Sequence, residues 1–130
     1  MMEYHIYAEI SLRGYHAYKN IPLTLGQELL CDIEPQNEHD PFAVMIQTEN
    51  EDIVGHIPLE LSEIIHKFLS DGGEAVAEVI GKRYNSGTNM GLEVPLDIKF
   101  MGTHIYLKKL RKSLKDILQD ANITKIRKCN

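Results

Sequence analysis

Apolar and polar residues alternate with a period of two over several stretches of the chain. Leu29, Cys31 and Ile33 have polar neighbours, and Phe42, Val44 and Ile46 repeat the pattern. That period belongs to strands with one buried face, so strands are predicted over Glu28–Ile33 and Phe42–Thr48. Tyr4–Ile10, Ile53–Ile57, Glu74–Tyr84 and Leu92–Phe100 bring the extended segments to six. After Pro58 the spacing turns helical: Leu61, Ile64, Ile65, Phe68 and Leu69 share a face until Gly72-Gly73 ends it. From Tyr106 to Asp120, Leu107, Leu110, Leu114, Ile117 and Leu118 form one face of a second helix, and Lys108, Lys109, Arg111, Lys112 and Lys115 occupy the others. Six strands with one helix inserted and one following predict a mainly β protein, a small and partly open β-barrel with two helices. Residues 1–104 are expected to form the barrel, 105–120 a basic amphipathic C-terminal helix, and 121–130 a frayed tail.

The segment between the second and third strands carries the most chemistry. Pro35-Gln36-Asn37-Glu38-His39-Asp40-Pro41 places five polar side chains between two prolines. Each proline fixes its own φ and biases the preceding residue to extended backbone, so Asn37, His39 and Asp40 are held more rigidly than in a glycine loop. A stiff polar loop between buried strands suits a binding site. Local capping is the competing role, with Asn37 and Asp40 bonding nearby backbone and His56 an ordinary strand residue.

Charge narrows the function classes. The chain has 130 residues and a net charge of −5, but the total hides an asymmetry. Residues 1–100 hold six Lys and Arg against 17 Asp and Glu, whereas residues 101–130 hold eight against two. An acidic body repels the phosphate backbone, which argues against broad binding of duplex DNA by the barrel alone. The basic helix has three readings: packing on the acidic body, a partner or self-association helix, or an auxiliary phosphate contact. Two cysteines, Cys31 and Cys129, give no disulfide framework and point to a reducing, intracellular compartment. The N-terminus lacks the basic and apolar regions of a signal peptide, and no apolar run is long enough to span a bilayer, so no membrane role is expected.

The motifs, taken together, resemble the HIRAN domain family. The family pattern E/D-P-x-N-x-x-D-x-x-A-V is matched by Glu34-Pro35, Asn37, Asp40 and Ala43-Val44, and V-G-H/Y-I/L-P by Val54-Gly55-His56-Ile57-Pro58. G/S-L-R-x-Y is similar to Ser11-Leu12-Arg13-Gly14-Tyr15, and the family's closing strand to Val94–Phe100, so the resemblance covers roughly residues 4–104. It implies a barrel of the OB and SH3-like kind and, by analogy with the HIRAN domains of fork-remodelling translocases, a DNA-repair module that binds the 3′ end of single-stranded DNA. In that setting Arg13 takes a phosphate, Asp40 accepts a hydrogen bond from the 3′-hydroxyl, and Asn37 and His56 donate to the terminal phosphate or sugar. Tyr15 belongs to the same set. His39 stands where DNA-binding relatives carry one of two aromatics that sandwich the terminal base, and Gly14 stands where they carry the other. Tyr84 precedes a loop where relatives place an aromatic near the pocket. The implied location is nuclear in a eukaryote and cytoplasmic otherwise.

A protein-interaction domain that keeps the fold without the DNA pocket is the alternative, favoured by Gly14 and the acidic body. Catalysis has thin support: the six histidines are dispersed, no H-x-H, H-E-x-x-H or C-x-x-C pair offers metal ligands, and no nucleophile elbow is present. The expectation is a non-enzyme with no cofactor and no metal, and a hydrolase using His and Asp residues is a minor third class.

Overall fold

The computed structural model describes residues 3–17, 21–85, 92–119 and 122–130. Strand β1 (Tyr4–Leu12) buries Ile6, Ala8, Ile10 and Leu12, the even parity that its sequence alternation requires. Strands β2 (Glu28–Ile33), β3 (Val44–Gln47), β4 (Ile53–His56), β5 (Glu74–Val79) and β7 (Leu92–Gly102) alternate likewise, except where β4 buries the adjacent Val54 and Gly55 and β7 the adjacent Glu93 and Val94. A two-residue β6 (Tyr84–Asn85) joins β7 alone. Among the described residues the strands run in the antiparallel order β4-β3-β2-β5-β7-β1-β8, where β8 is Arg127–Lys128. The spine is the β1/β7 pair, in continuous register from Tyr4↔Gly102 to Leu12↔Val94.

One short bridge turns this sheet into a barrel. Beyond the end of β1, the Arg13 amide donates to the His56 carbonyl and the His56 amide to the Arg13 carbonyl, both at 2.9 Å. That pairing joins β4 to β1, the two flanks of the sheet. It requires Gly55: a Cβ there would lie 2.5 Å from Leu12 Cδ2 and 2.6 Å from the Arg13 carbonyl oxygen. The glycine of the V-G-H-I-P motif is a close-approach residue, present because another backbone occupies the space of a side chain.

The helices close the barrel. Helix α1 (Leu59–Ser70) begins after Pro58 and buries Leu61, Ile65 and Phe68, with the Phe68 ring edge-on to Phe100 at 5.9 Å. Helix α2 (His104–Ile117) buries Leu107, Leu110 and Leu114 against α1, β1 and β7. Neither is long and apolar enough to cross a membrane. The mainly β barrel with two helices matches the expectation, but among the described residues eight strands replace the six expected: Glu74–Tyr84 divides into β5 and β6, and β8 is added. The predicted strand Phe42–Thr48 is shorter, because Asp40 Oδ1 accepts the Phe42 amide at 2.8 Å and keeps that residue in a turn. Residues 122–130 do not form the expected frayed tail. Glu9 and Thr124 donate backbone amides to the Asn122 and Tyr7 carbonyls, and β8 pairs with Tyr4 and His5. The reason is that β1 presents an unpaired edge below Arg13, and the returning chain satisfies its backbone groups.

The outer face of the sheet carries a row of like charges, since Glu9 pairs with Asp97, Asp97 with Glu78 and Glu78 with Glu28. Burial, then Glu9 and Glu78, push the Asp97 carboxyl above its ordinary value of 3.8. A carboxyl raised in the folded state opposes folding when ionised, and that opposition disappears as pH falls through the folded value. Asp97→Asn should therefore raise stability at pH 7 by about 0.2–1 kcal/mol, the range for facing like charges. In urea titrations the advantage should vanish in acid below the ordinary value; a destabilised variant at pH 7 would contradict it. Gly55→Ala should destabilise by about 1–3 kcal/mol, because the clash includes backbone that cannot swing away. An unchanged denaturation midpoint would show that the bridge is dispensable.

Candidate functional site

The loop between β2 and β3 is built on its own side chains. Asn37 Oδ1 accepts the backbone amides of His39 at 2.9 Å and Asp40 at 2.8 Å, and Asn37 Nδ2 donates to Glu34 Oε1 at 2.7 Å. The Glu34 amide donates to the Ala43 carbonyl at 3.0 Å, which closes the loop at its base. The same Glu34 oxygen lies 2.8 Å from His56 Nε2. Glu34 thus ties the rigid loop to β4, and through the barrel-closing bridge to Arg13.

Burial pushes the Glu34 carboxyl up, but hydrogen bonds from Asn37 and His56 and the charge on His56 outweigh it, leaving the group below its ordinary value of 4.5. An ionised carboxylate only accepts, so the proton shared with His56 resides on Nε2. A depressed carboxyl contributes stability that is present above the ordinary value and lost as pH falls through the folded one.

Arg13 sits between carboxylates. Its guanidinium Nη1 is 2.8 Å from Glu60 Oε2, and Nε is 3.5 Å from Oε1 of the buried Glu93. The Nε atom is itself buried and makes no hydrogen bond among the described residues. The guanidinium is therefore anchored by charge, with Nε turned inward toward Glu93 and Nη1 held by the exposed Glu60.

Of the seven residues singled out by sequence, five line one cleft of about 520 Å³: Arg13, Asn37, His39, Asp40 and His56. Gly14, Ala43, Ile57 and the exposed Leu59 supply its apolar part. Gly14 has φ +81°, and nothing lies within 4 Å of where a Cβ would stand, so the space is open but the backbone suits glycine. Tyr15 is not in the cleft. It is 3% exposed, and its hydroxyl donates to the Ile21 carbonyl at 2.7 Å, so it is a core residue that pins the following segment. Tyr84 is also outside the lining: it lies on β6, and its hydroxyl shares a hydrogen bond with Ser11 Oγ at 2.7 Å. The loop after Tyr84 falls at residues 86–91, outside the described residues.

Sequence reasoning missed Glu34, Glu60, Glu93 and Leu59. Glu34 stood in the motif without a role. Glu93 shares the outward parity of Asp97 and Lys99 along β7 and gave no sign of its burial, and Glu60 carried no signal beyond its place in the first turn of α1. Elsewhere, Cys31 is buried, and burial and then Asp32 push its thiol up to about 12, so it is no thiolate at neutral pH. Among the described residues no cluster of His, Cys, Asp or Glu is arranged to hold a metal ion.

The barrel, the motif-built loop and the cleft define a HIRAN-type domain. The HIRAN domain family profile matches residues 4–99, and the chain belongs to that family. No curated protein matches the chain. Among solved structures, the crystal structure of the HIRAN domain of human HLTF is similar at TM-score 0.69 and 19% identity, over 88% of this chain and 92% of that one. The HLTF HIRAN domain in its DNA-bound conformation, solved by NMR, is similar at TM-score 0.65 and 20% identity, over 85% and 86%. A Lactobacillus plantarum protein shares the fold at TM-score 0.56 and 14% identity, over 77% and 99%.

Glu34→Gln should destabilise the domain at pH 7 by about 1–3 kcal/mol, the penalty for weakening a carboxylate that accepts two bonds. In denaturation series the gap between wild type and variant should narrow as pH falls below 4.5, the carboxyl's ordinary value. A gap independent of pH would mean that the carboxylate charge is not what joins loop to strand.

Proposed function

We propose that the cleft receives the 3′ end of single-stranded DNA and acts as a recognition site without chemistry of its own. The observation that carries this reading is the gathering of Arg13, His39, Asp40 and His56, from three separate segments, in one cleft. The family and the DNA-bound state of the HLTF domain support it. Arg13 is the phosphate ligand through Nη1, whose partner, Glu60, is 44% exposed and displaceable. Asp40 accepts the 3′-hydroxyl: one oxygen is held by the Phe42 amide, and the other makes no bond among the described residues. Asn37 serves by shaping the loop, since both ends of its amide are already engaged. With Gly14 in place of an aromatic, stacking falls to His39 and the apolar surface of Leu59. Such an end sensor suits DNA repair, in the nucleus of a eukaryote or the cytoplasm of a prokaryote.

The second reading is a protein-interaction domain. It is favoured by the acidic setting of a single arginine, with Asp40 and Glu60 in the cleft lining and Glu93 behind the guanidinium.

Titration of labelled strands separates the two. A 3′-phosphate brings a like charge to Asp40 and removes the donor, so such strands should bind much more weakly than 3′-hydroxyl ones. Arg13→Ala should weaken binding by about 1–3 kcal/mol, the value of a charged hydrogen bond. Glu60→Gln should strengthen it by releasing the guanidinium. Equal affinity for hydroxyl, phosphate and circular strands would defeat the DNA-end reading and leave the protein-interaction one.

A further inference from the structure

We propose that the exposed surface of α2 is a second nucleic-acid contact, which carries the upstream phosphates of the strand whose 3′ end occupies the cleft. This rests on the DNA-end reading for the direction of the strand, though the surface itself is argued independently. A groove of about 670 Å³, larger than the cleft, runs between α2 and the returning C-terminal segment. Lys108, Arg111, Lys112 and Lys115 of α2 and Lys125 of the returning segment line it with one carboxylate, Asp116, and Ile126 adds an apolar patch. Arg111 Nε fixes the two walls together by donating to the Thr124 carbonyl at 2.8 Å.

Apart from Arg111, which serves the fold through that hydrogen bond, these charges make no ion pair that serves it among the described residues. Helix α2 does pack on the body, but through Leu107, Leu110 and Leu114, and the charge complementarity expected between the two is not used. Lys108, Lys112, Lys115 and Lys125 join no ion pair among the described residues. Lys108 with Lys112 and Arg111 with Lys115 are like-charge pairs four residues apart, which weakens a helix. A polyanion laid along the ridge relieves that repulsion.

The surface also leads back to the cleft. Lys109 and Lys112 line both this groove and a neighbouring one of about 340 Å³ between the helices, whose other wall includes Ile64 and Lys67 of α1. Helix α1 starts at the cleft with Leu59 and Glu60, and Lys67 lies seven residues further on, about 10 Å at the helical rise. Tyr106, 38% exposed with the Lys109 ammonium 5.8 Å from its ring centroid, offers a stacking face beside the lysines. The path from the cleft passes the exposed Glu60 and Glu63 on the first turns of α1 and Lys67, which pairs with Asp71 at 3.3 Å. Beyond them Lys109, Lys112 and Tyr106 set cations beside an aromatic, as grooves for single strands do.

The test is fluorescence anisotropy on the full chain, with 3′-hydroxyl strands of about three and about fifteen nucleotides and a circular single strand, spanning lengths below and near one binding site. The variant is Lys108→Ala, Lys112→Ala and Lys115→Ala combined, exposed helix positions where alanine is a good helix former. Expected for the variant is a tenfold or greater loss on the long strand, a salt slope shallower by about two for three lost contacts, and unchanged binding of the short strand. Wild-type affinity and salt slope on the long strand would overturn the inference and leave the cleft reading standing. Circular strands that bind wild type as well as linear ones, and are lost in the variant, would uphold the α2 surface and overturn the cleft. Competition by polyglutamate or anionic vesicles as effective as by DNA would overturn the nucleic-acid assignment, as would the absence of binding to any strand.

Discussion

Two backbone hydrogen bonds between Arg13 and His56 hold the architecture of the site. They join the flanks of the sheet, and they set the arginine of one motif beside the histidine of another. The contact exists only because Gly55 has no side chain where Leu12 and Arg13 pass. Barrel closure and site assembly are therefore one event. Loss of the bridge would separate Arg13 from the loop that completes the cleft while leaving most of the hydrophobic core in place.

From that bridge the polar network spreads in two directions. Through His56 it reaches Glu34 and Asn37, whose bonds make the proline-bounded loop a fixed wall. Through Arg13 it reaches Glu60 at the start of α1 and Glu93 on β7. The result is a cationic group held by carboxylates in an acidic setting, which disfavours nonspecific phosphate contact and reserves the arginine for an acceptor that arrives in the right geometry. Basic side chains are concentrated on α2, on a surface that the core does not use. On the reading proposed above, the cleft and this ridge divide specificity from affinity in the way that DNA-binding surfaces commonly do.

The order of elements, the helix positions and the inward-facing residues were legible in the sequence because strand and helix periods act locally, and the core follows from them. Five cleft residues were legible because fixed spacings within short motifs record local geometry: Asn37, His39 and Asp40 share one loop, Arg13 directly follows β1, and His56 ends β4. Tyr15 was not, because Gly14 takes φ +81° and a 3-10 turn follows over Tyr15–Ala17. Strand parity lapses there, and the ring that extrapolation aims at the cleft turns into the core. The pairing of Arg13 with Glu60 and Glu93 spans 47 and 80 positions in the chain, and the return of residues 122–130 onto β1 spans more than 110. Such contacts leave no periodic trace. Local chemistry in the sequence determined which residues belong to strand, loop and helix; only the tertiary fold decided which charges meet, because ion pairs and edge pairing depend on through-space distance between segments that the barrel alone brings together.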